Sequence, residues 1–249
     1  MTDASADGSS DGPDRTEASA RADADDESGF GRGILHSDDE TVVLVRDVAT
    51  VVAVVAIICL SLFAVSGVWP PFVAVESGSM EPNMHKGDMI FLVQEDRFVG
   101  DDPVMGTGLV SAERGRTTGY EKFGHAGDVI VYAPNGDPAA TPIIHRVRFW
   151  VEAGDNWVAD ADPAYTDDRS CAEVRSCPAP HDGFVTKGDA NANYDQLDGR
   201  PKTTVVRPGW IVGKAVVRVP RLGTLRLLFE SLVNVGTVAV GFLATTAPE

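Results

Sequence analysis

The sequence predicts a mainly β protein: an all-β domain carried behind one N-terminal transmembrane helix and followed by a C-terminal helix. Three observations lead there. Residues 48–69 form a run of 22 side chains without a charge. Beyond it the chain breaks into short runs rich in β-branched and aromatic residues, punctuated by Gly, Pro, Asn and Asp. From residue 222 the spacing turns helical, and residues 231–248 again carry no charge.

Residues 1–40 hold twelve acids and three bases, a net of −9 out of the −16 of the whole 249-residue chain. With almost nothing apolar to bury, such a segment cannot offset its ordering entropy, and it reads as a disordered acidic tail. The remainder has a globular composition, with 43% hydrophobic and 23% charged residues overall. The acidic balance excludes a broadly basic nucleic-acid surface. Three cysteines without a CxxC pair exclude a disulfide-dense scaffold and a zinc ribbon. The surplus of Asp over Lys is also what a high-salt cytoplasm selects for, so a halophilic source is expected.

At about 1.5 Å rise per residue the run 48–69 spans roughly 33 Å, enough for the hydrocarbon core of a bilayer. It follows a long acidic segment rather than a short basic one, so it reads as a retained anchor, not a cleaved leader. Pro70 and Pro71 are expected to end the helix. The strand-like runs are residues 89–93, 128–133, 142–153, 183–188 and 210–219, which place a β-rich domain over residues 72–220. Two polar stretches within it, 97–123 and 154–182, look like insertions. The second carries Cys171 and Cys177, expected to pair if the domain lies outside the cell and otherwise to remain two thiols. The C-terminal helix, residues 222–247, is expected to touch the membrane, by spanning it or lying on it, with a core helix as the alternative.

Three segments could carry chemistry. Ser77-Gly78-Ser79 precedes Met80-Glu81-Pro82. A Ser beside Gly in a tight turn can present a hydroxyl and a backbone N–H together, a nucleophile plus an oxyanion donor. Ser-Gly-Ser is also ordinary loop chemistry. His145 lies in the apolar run 142–147, where an imidazole can equally be a plain structural side chain. Asp189 and Asp195 lie in Gly188-Asp189-Ala190-Asn191-Ala192-Asn193-Tyr194-Asp195, where acids commonly make turn bonds. Together the three segments offer a nucleophile, a base and a carboxylate to orient the base.

At these residues the chain resembles a type I signal peptidase of the archaeal and endoplasmic-reticulum branch. The matching blocks run in that family's order: an anchor, SGSMEP (77–82), KGDMIFL (86–92), GDVIVY (127–132), IIHRV (143–147) and TKGDANANYD (186–195). The tail and the two polar stretches fall outside the match. The resemblance implies a signal-peptidase-like all-β catalytic domain. Residue by residue, it implies Ser79 as nucleophile, Ser77 as a contributor to the oxyanion hole, His145 as general base and Asp195 as the carboxylate supporting it. Asp189 matches a second acid of less defined role. Where the family often reads GDNN, this chain reads Gly188-Asp189-Ala190-Asn191.

The resemblance further implies a membrane-bound serine endopeptidase that removes signal peptides from exported preproteins after small residues of the Ala-x-Ala type. It implies no metal and no cofactor. Its partners would be signal peptides, the lipid membrane and the protein-export machinery, with the catalytic domain on the extracytoplasmic side of the cell membrane. Arg32 and Arg46 before the anchor give only a poor positive-inside signal. Two other classes compete. One is a catalytically silent membrane subunit that binds preproteins, against which Ser79, His145 and Asp195 are all present. The other is a Ser-Lys self-processing protease, whose base would be one of Lys86, Lys122, Lys187, Lys202 or Lys214, none in the strand that holds His145.

Overall fold

The structure, a computed structural model, describes residues 40–104, 106–197 and 203–224. The chain divides into two compact units, residues 1–60 and 61–249. The acidic tail, and the C-terminal helix beyond residue 224, lie outside the described residues.

The first unit is described from residue 40 and contributes most of α1 (Glu40–Ser66), a 27-residue helix. Leu44, Val51, Ile57 and Leu60 stand exposed on different faces of it. A helix that is apolar all round and long enough for a bilayer has no reason to sit in water, and α1 is long and apolar enough to cross one. It begins eight residues before the uncharged run, because Glu40 and the residues after it continue the same backbone pattern.

The second unit begins with the last residues of α1. The helix ends at Gly67, ahead of Pro70 and Pro71. Gly67 takes a left-handed φ of +72°, and its N–H reaches Phe63 O at 2.7 Å. The Arg97 guanidinium donates to the carbonyls of Ala64 and Val65, two of the carbonyls a helix end leaves without partners.

The body of this unit is a six-stranded antiparallel sheet. Its strands are β1 (Phe72–Ala74), β2 (Met89–Val93), β5 (Val129–Tyr132), β6 (Ile143–Val151), β7 (Gly183–Lys187) and β8 (Ile211–Val219), in the order β1-β2-β8-β5-β6-β7. A small hairpin of β3 (Glu121–Lys122) and β4 (His125–Ala126) stands apart from it. Each strand-like run of the sequence lies on a strand of the main sheet. Strand β5 is buried along its whole length, as a central strand with both faces covered must be.

Three apolar clusters fill the unit. One holds Met80, Met84, Ile90, Leu92, Val129 and Val131, directly beneath the Ser79 turn. A second holds Leu109, Ile130, Tyr132, Val147, Phe184 and Val206. The third holds Trp157, Val158, Val174, Val185, Tyr194 and Leu197. Both polar stretches feed these clusters. Val104 and Leu109 come from residues 97–123, which also form α2 (Ala112–Thr118). Trp157 and Val174 come from residues 154–182, which hold α3 (Trp157–Asp160).

Polar bonds hold the first stretch down as well. Asp128, fully buried, accepts from Val110 N at 2.8 Å and from the Tyr120 hydroxyl at 2.8 Å. Lys214, also buried, donates to Gly108 O at 3.2 Å. Buried polar groups need such partners to offset their lost hydration. In the second stretch Cys171 and Cys177 form a disulfide with Cα atoms 5.1 Å apart.

Candidate active site

Ser79 sits in the turn between β1 and β2, half-buried, with Met80 beside it fully buried in the core. Met80 and Met84 pack into one cluster, and Met84 N bonds Met80 O at 3.0 Å. The turn is therefore anchored on its inner side, while Ser77 and Gly78 stay exposed. From the far side, Ala190 N donates to Ser79 O at 2.9 Å, tying the turn to the loop after β7. Gly188 makes that approach possible. A Cβ there would lie 2.6 Å from Ser79 O and 2.8 Å from His145 Nε2, closer than any real Cβ contact.

His145 lies on β6 opposite Ile130 and is 3% exposed. Its Nε2 is 2.9 Å from Ser79 Oγ, and its Nδ1 is 2.6 Å from Asp195 Oδ2. A carboxylate only accepts, so Nδ1 carries the ring proton and Nε2 is left to accept from the serine hydroxyl. Asp195 arrives from the loop after β7 and is held by its own N–H on Thr186 O at 3.0 Å.

Asp195 Oδ2 has two more donors, Thr186 Oγ1 at 2.7 Å and the Tyr132 hydroxyl at 3.0 Å. Burial, and next the Asp195 charge, push the Tyr132 phenol well above its ordinary range, so it stays protonated and donates. Gln196, also buried, accepts from Thr186 N at 3.2 Å and donates to Thr186 Oγ1 at 3.3 Å. That leaves the threonine hydroxyl proton for Asp195. Three donors converging on it fix the carboxylate in orientation.

Asp189, from the same loop, does not reach His145. It forms a bidentate pair with Arg146, Nε to Oδ1 at 2.8 Å and Nη2 to Oδ2 at 2.6 Å. Arg146 is fully buried, and its Nη1 donates to the carbonyls of Lys122, His125 and Gly127. Ser77 Oγ stands 3.2 Å from Ser79 Oγ. The structure thus brings Ser79, His145 and Asp195 into one hydrogen-bonded line, with Ser77 beside the hydroxyl and Asp189 on a separate arginine. Tyr132 of the block 127–132, Thr186 and Gly188 of the block 186–195, and Gln196 just after it join the site as residues to which the sequence had assigned no role. Arg146 did carry a signal, as a charged neighbour of His145 inside an apolar strand.

The line opens on a groove of about 710 Å³. Ser77, Ser79 and His145 form its polar end, and Val73, Ala74, Val131, Ile144 and Val212 line an apolar stretch. Neither buried lysine offers a base here: the Lys187 ammonium donates to Gly188 O at 3.0 Å and that of Lys214 to Gly108 O and Phe98 O. No group of His, Cys, Asp and Glu among the described residues is arranged to hold a metal ion. Chemically the arrangement can withdraw a proton from the Ser79 hydroxyl as that oxygen attacks a carbonyl carbon lying in the groove.

No family model matches the chain. It is similar to the signal peptidase complex catalytic subunit SEC11 of Eremothecium gossypii, 28% identical over 178 residues that cover 71% of this chain and 76% of that protein. It is also similar to the SEC11 subunit of Komagataella phaffii, 26% identical over 181 residues, 70% of this chain and 78% of that protein.

Proposed function

We propose that the chain is a membrane-anchored serine endopeptidase that removes signal peptides from exported preproteins. The observation that carries this reading is the line Ser79 Oγ–His145 Nε2, His145 Nδ1–Asp195, ending in an apolar groove. The likeness to two signal peptidase catalytic subunits supplies the substrate class.

In this reading His145 takes the Ser79 proton as Oγ attacks the scissile carbonyl, then returns it to the departing amine. Asp195 holds the imidazole tautomer and stabilises the imidazolium that forms. The developing oxyanion is met by the Ser77 hydroxyl and the backbone N–H of Ser79. Asp189 acts through Arg146 as a positioning residue, fixing the loop that delivers Asp195. Val73, Ala74 and Ile144 line the same groove as Ser79, and the cut is proposed to follow small residues of the Ala-x-Ala type. Helix α1 would hold the enzyme in the cell membrane beside its substrates, with the catalytic unit on the extracytoplasmic side. The acidic surplus fits a haloarchaeal source.

Ser79→Ala and His145→Ala in the full chain, assayed on a preprotein in detergent, should each abolish cleavage. His145→Lys should not rescue: the Asp195 anion would stabilise a charged ammonium, which cannot act as a base. Retained cleavage by Ser79→Ala would falsify the mechanism, and absence of cleavage by the unaltered chain would favour a silent binding subunit.

A further inference from the structure

On the other face of β6 and β7 from His145, cations gather in a second, smaller cavity. Arg146 and Lys187 are register partners on neighbouring strands, so their side chains leave the sheet on the same side. The register of β6 shifts across Arg148, and such an irregularity re-aims a side chain. Arg148, Lys187, Arg116 of α2 and His125 of β4 all line one pocket of about 200 Å³, together with the ring of Tyr165.

Its single carboxylate belongs to Asp189, already engaged by both nitrogens of Arg146. Among the described residues Arg116, Arg148 and Lys187 make no ion pair. Glu113, Asp155, Asp160 and Asp162 line an adjoining cavity that shares Arg116 and Arg148, without pairing with either. Lys187 is 3% exposed, with its ammonium 4.3 Å from the Tyr165 ring centre and one hydrogen bond, to Gly188 O. Burial, and next the Arg148 charge, hold the Lys187 ammonium below its usual range.

Whatever the acidic surplus of the whole chain and of the adjoining cavity contributes, the unpaired cations converging on this small cavity repel one another at short range and leave their donors open to an anion. Guanidinium forks and an ammonium converging on a small cavity are the donor set for an oxyanion. We propose that the Arg116–Arg148–Lys187 pocket is a binding site for a phosphate-type oxyanion, free or borne on a lipid headgroup. Lys187 and Asp189 flank Gly188, which packs on Ser79 and His145, so a bound anion would steady the loop that carries Asp195. The proposal stands apart from the peptidase reading, and its test needs no cleavage.

The full chain in detergent is titrated with inorganic phosphate against potassium chloride at matched ionic strength, following the melting temperature and the ³¹P linewidth. Phosphate should give a saturable response that chloride does not. Arg116→Gln and Arg148→Gln, both outside the buried core, should each weaken it at least tenfold. Arg148→Lys should retain it in part. Arg207→Gln, whose guanidinium lies over Trp210 elsewhere in the fold, should leave it unchanged. A response equal for the two salts, an absent response, or an affinity in both Gln variants unchanged from that of the unaltered chain would overturn the proposal. In phosphatidylcholine vesicles, phosphatidic acid should lower the apparent phosphate affinity tenfold if a headgroup is the occupant and leave it unaltered if free phosphate is.

Discussion

Asp189 and Asp195 leave the same loop, six residues apart, and meet opposite surroundings. Asp195 faces an imidazole and two hydroxyls, donors that orient it toward His145 without a permanent cation. Asp189 faces a buried guanidinium that takes both of its oxygens and sits on three carbonyls besides. A carboxylate among neutral donors can respond to a proton moving nearby. One locked to a permanent cation cannot, and serves only to fix the backbone that carries it. In the proposed reading the two faces of β6 separate chemistry from scaffolding by one residue.

The separation can be broken from the chemical side first. His145→Ala should lower kcat by about 10⁵-fold or more, since groups that act as a unit fail together, with the melting temperature nearly unchanged. Asp195→Asn keeps the shape but favours the wrong imidazole tautomer, and kcat should fall about 10⁴-fold. Steady-state kinetics on one preprotein measures both. Equal losses from Asp195→Asn and Asp189→Asn in kcat, at equal stability, would end the distinction.

From the scaffold side, Asp189→Asn strips a buried arginine of its counter-charge. Stability should fall by about 3 kcal/mol, seen as a melting temperature lower by several degrees. At temperatures where the variant stays folded, kcat should fall far less than in Asp195→Asn. Tyr132→Phe sharpens the comparison further. It removes one of three donors to Asp195, a charge-assisted bond worth roughly 1.5–3 kcal/mol, and should cost about tenfold or somewhat more in kcat/KM, a larger activity loss relative to its stability loss than in Asp189→Asn. The smallest effect is expected at the disulfide. Cys171 and Cys177 are six residues apart, and opening so short a loop by a double Ala change should cost about 2 kcal/mol. Its bonds hold the cluster that includes Tyr194, next to Asp195, so kcat should hardly move.

Much of this architecture was legible from local pattern. A helix long and apolar enough to cross a bilayer advertises itself by length and absence of charge, and strands such as Met89–Val93 by apolar runs between turn residues. Residues 97–123 and 154–182 were harder to read. Their buried residues, Leu109, Trp157 and Val174 among them, are scattered between Gly, Asp and Arg with no period, because they fill gaps over a sheet rather than form a face of their own.

Sequence by itself determined the uncharged helix, the alternation of strands and turns, and the presence of Ser79, His145 and two acids in segments able to hold them. These follow from interactions within a few residues, which the order of side chains specifies directly. Only the tertiary structure decided which acid meets the imidazole, that Tyr132 and Thr186 stand behind it, and that Gly188 must lack a side chain for Ser79 to approach. Each of those depends on the register between strands far apart in the chain, where a shift of one residue turns a side chain to the other face of the sheet.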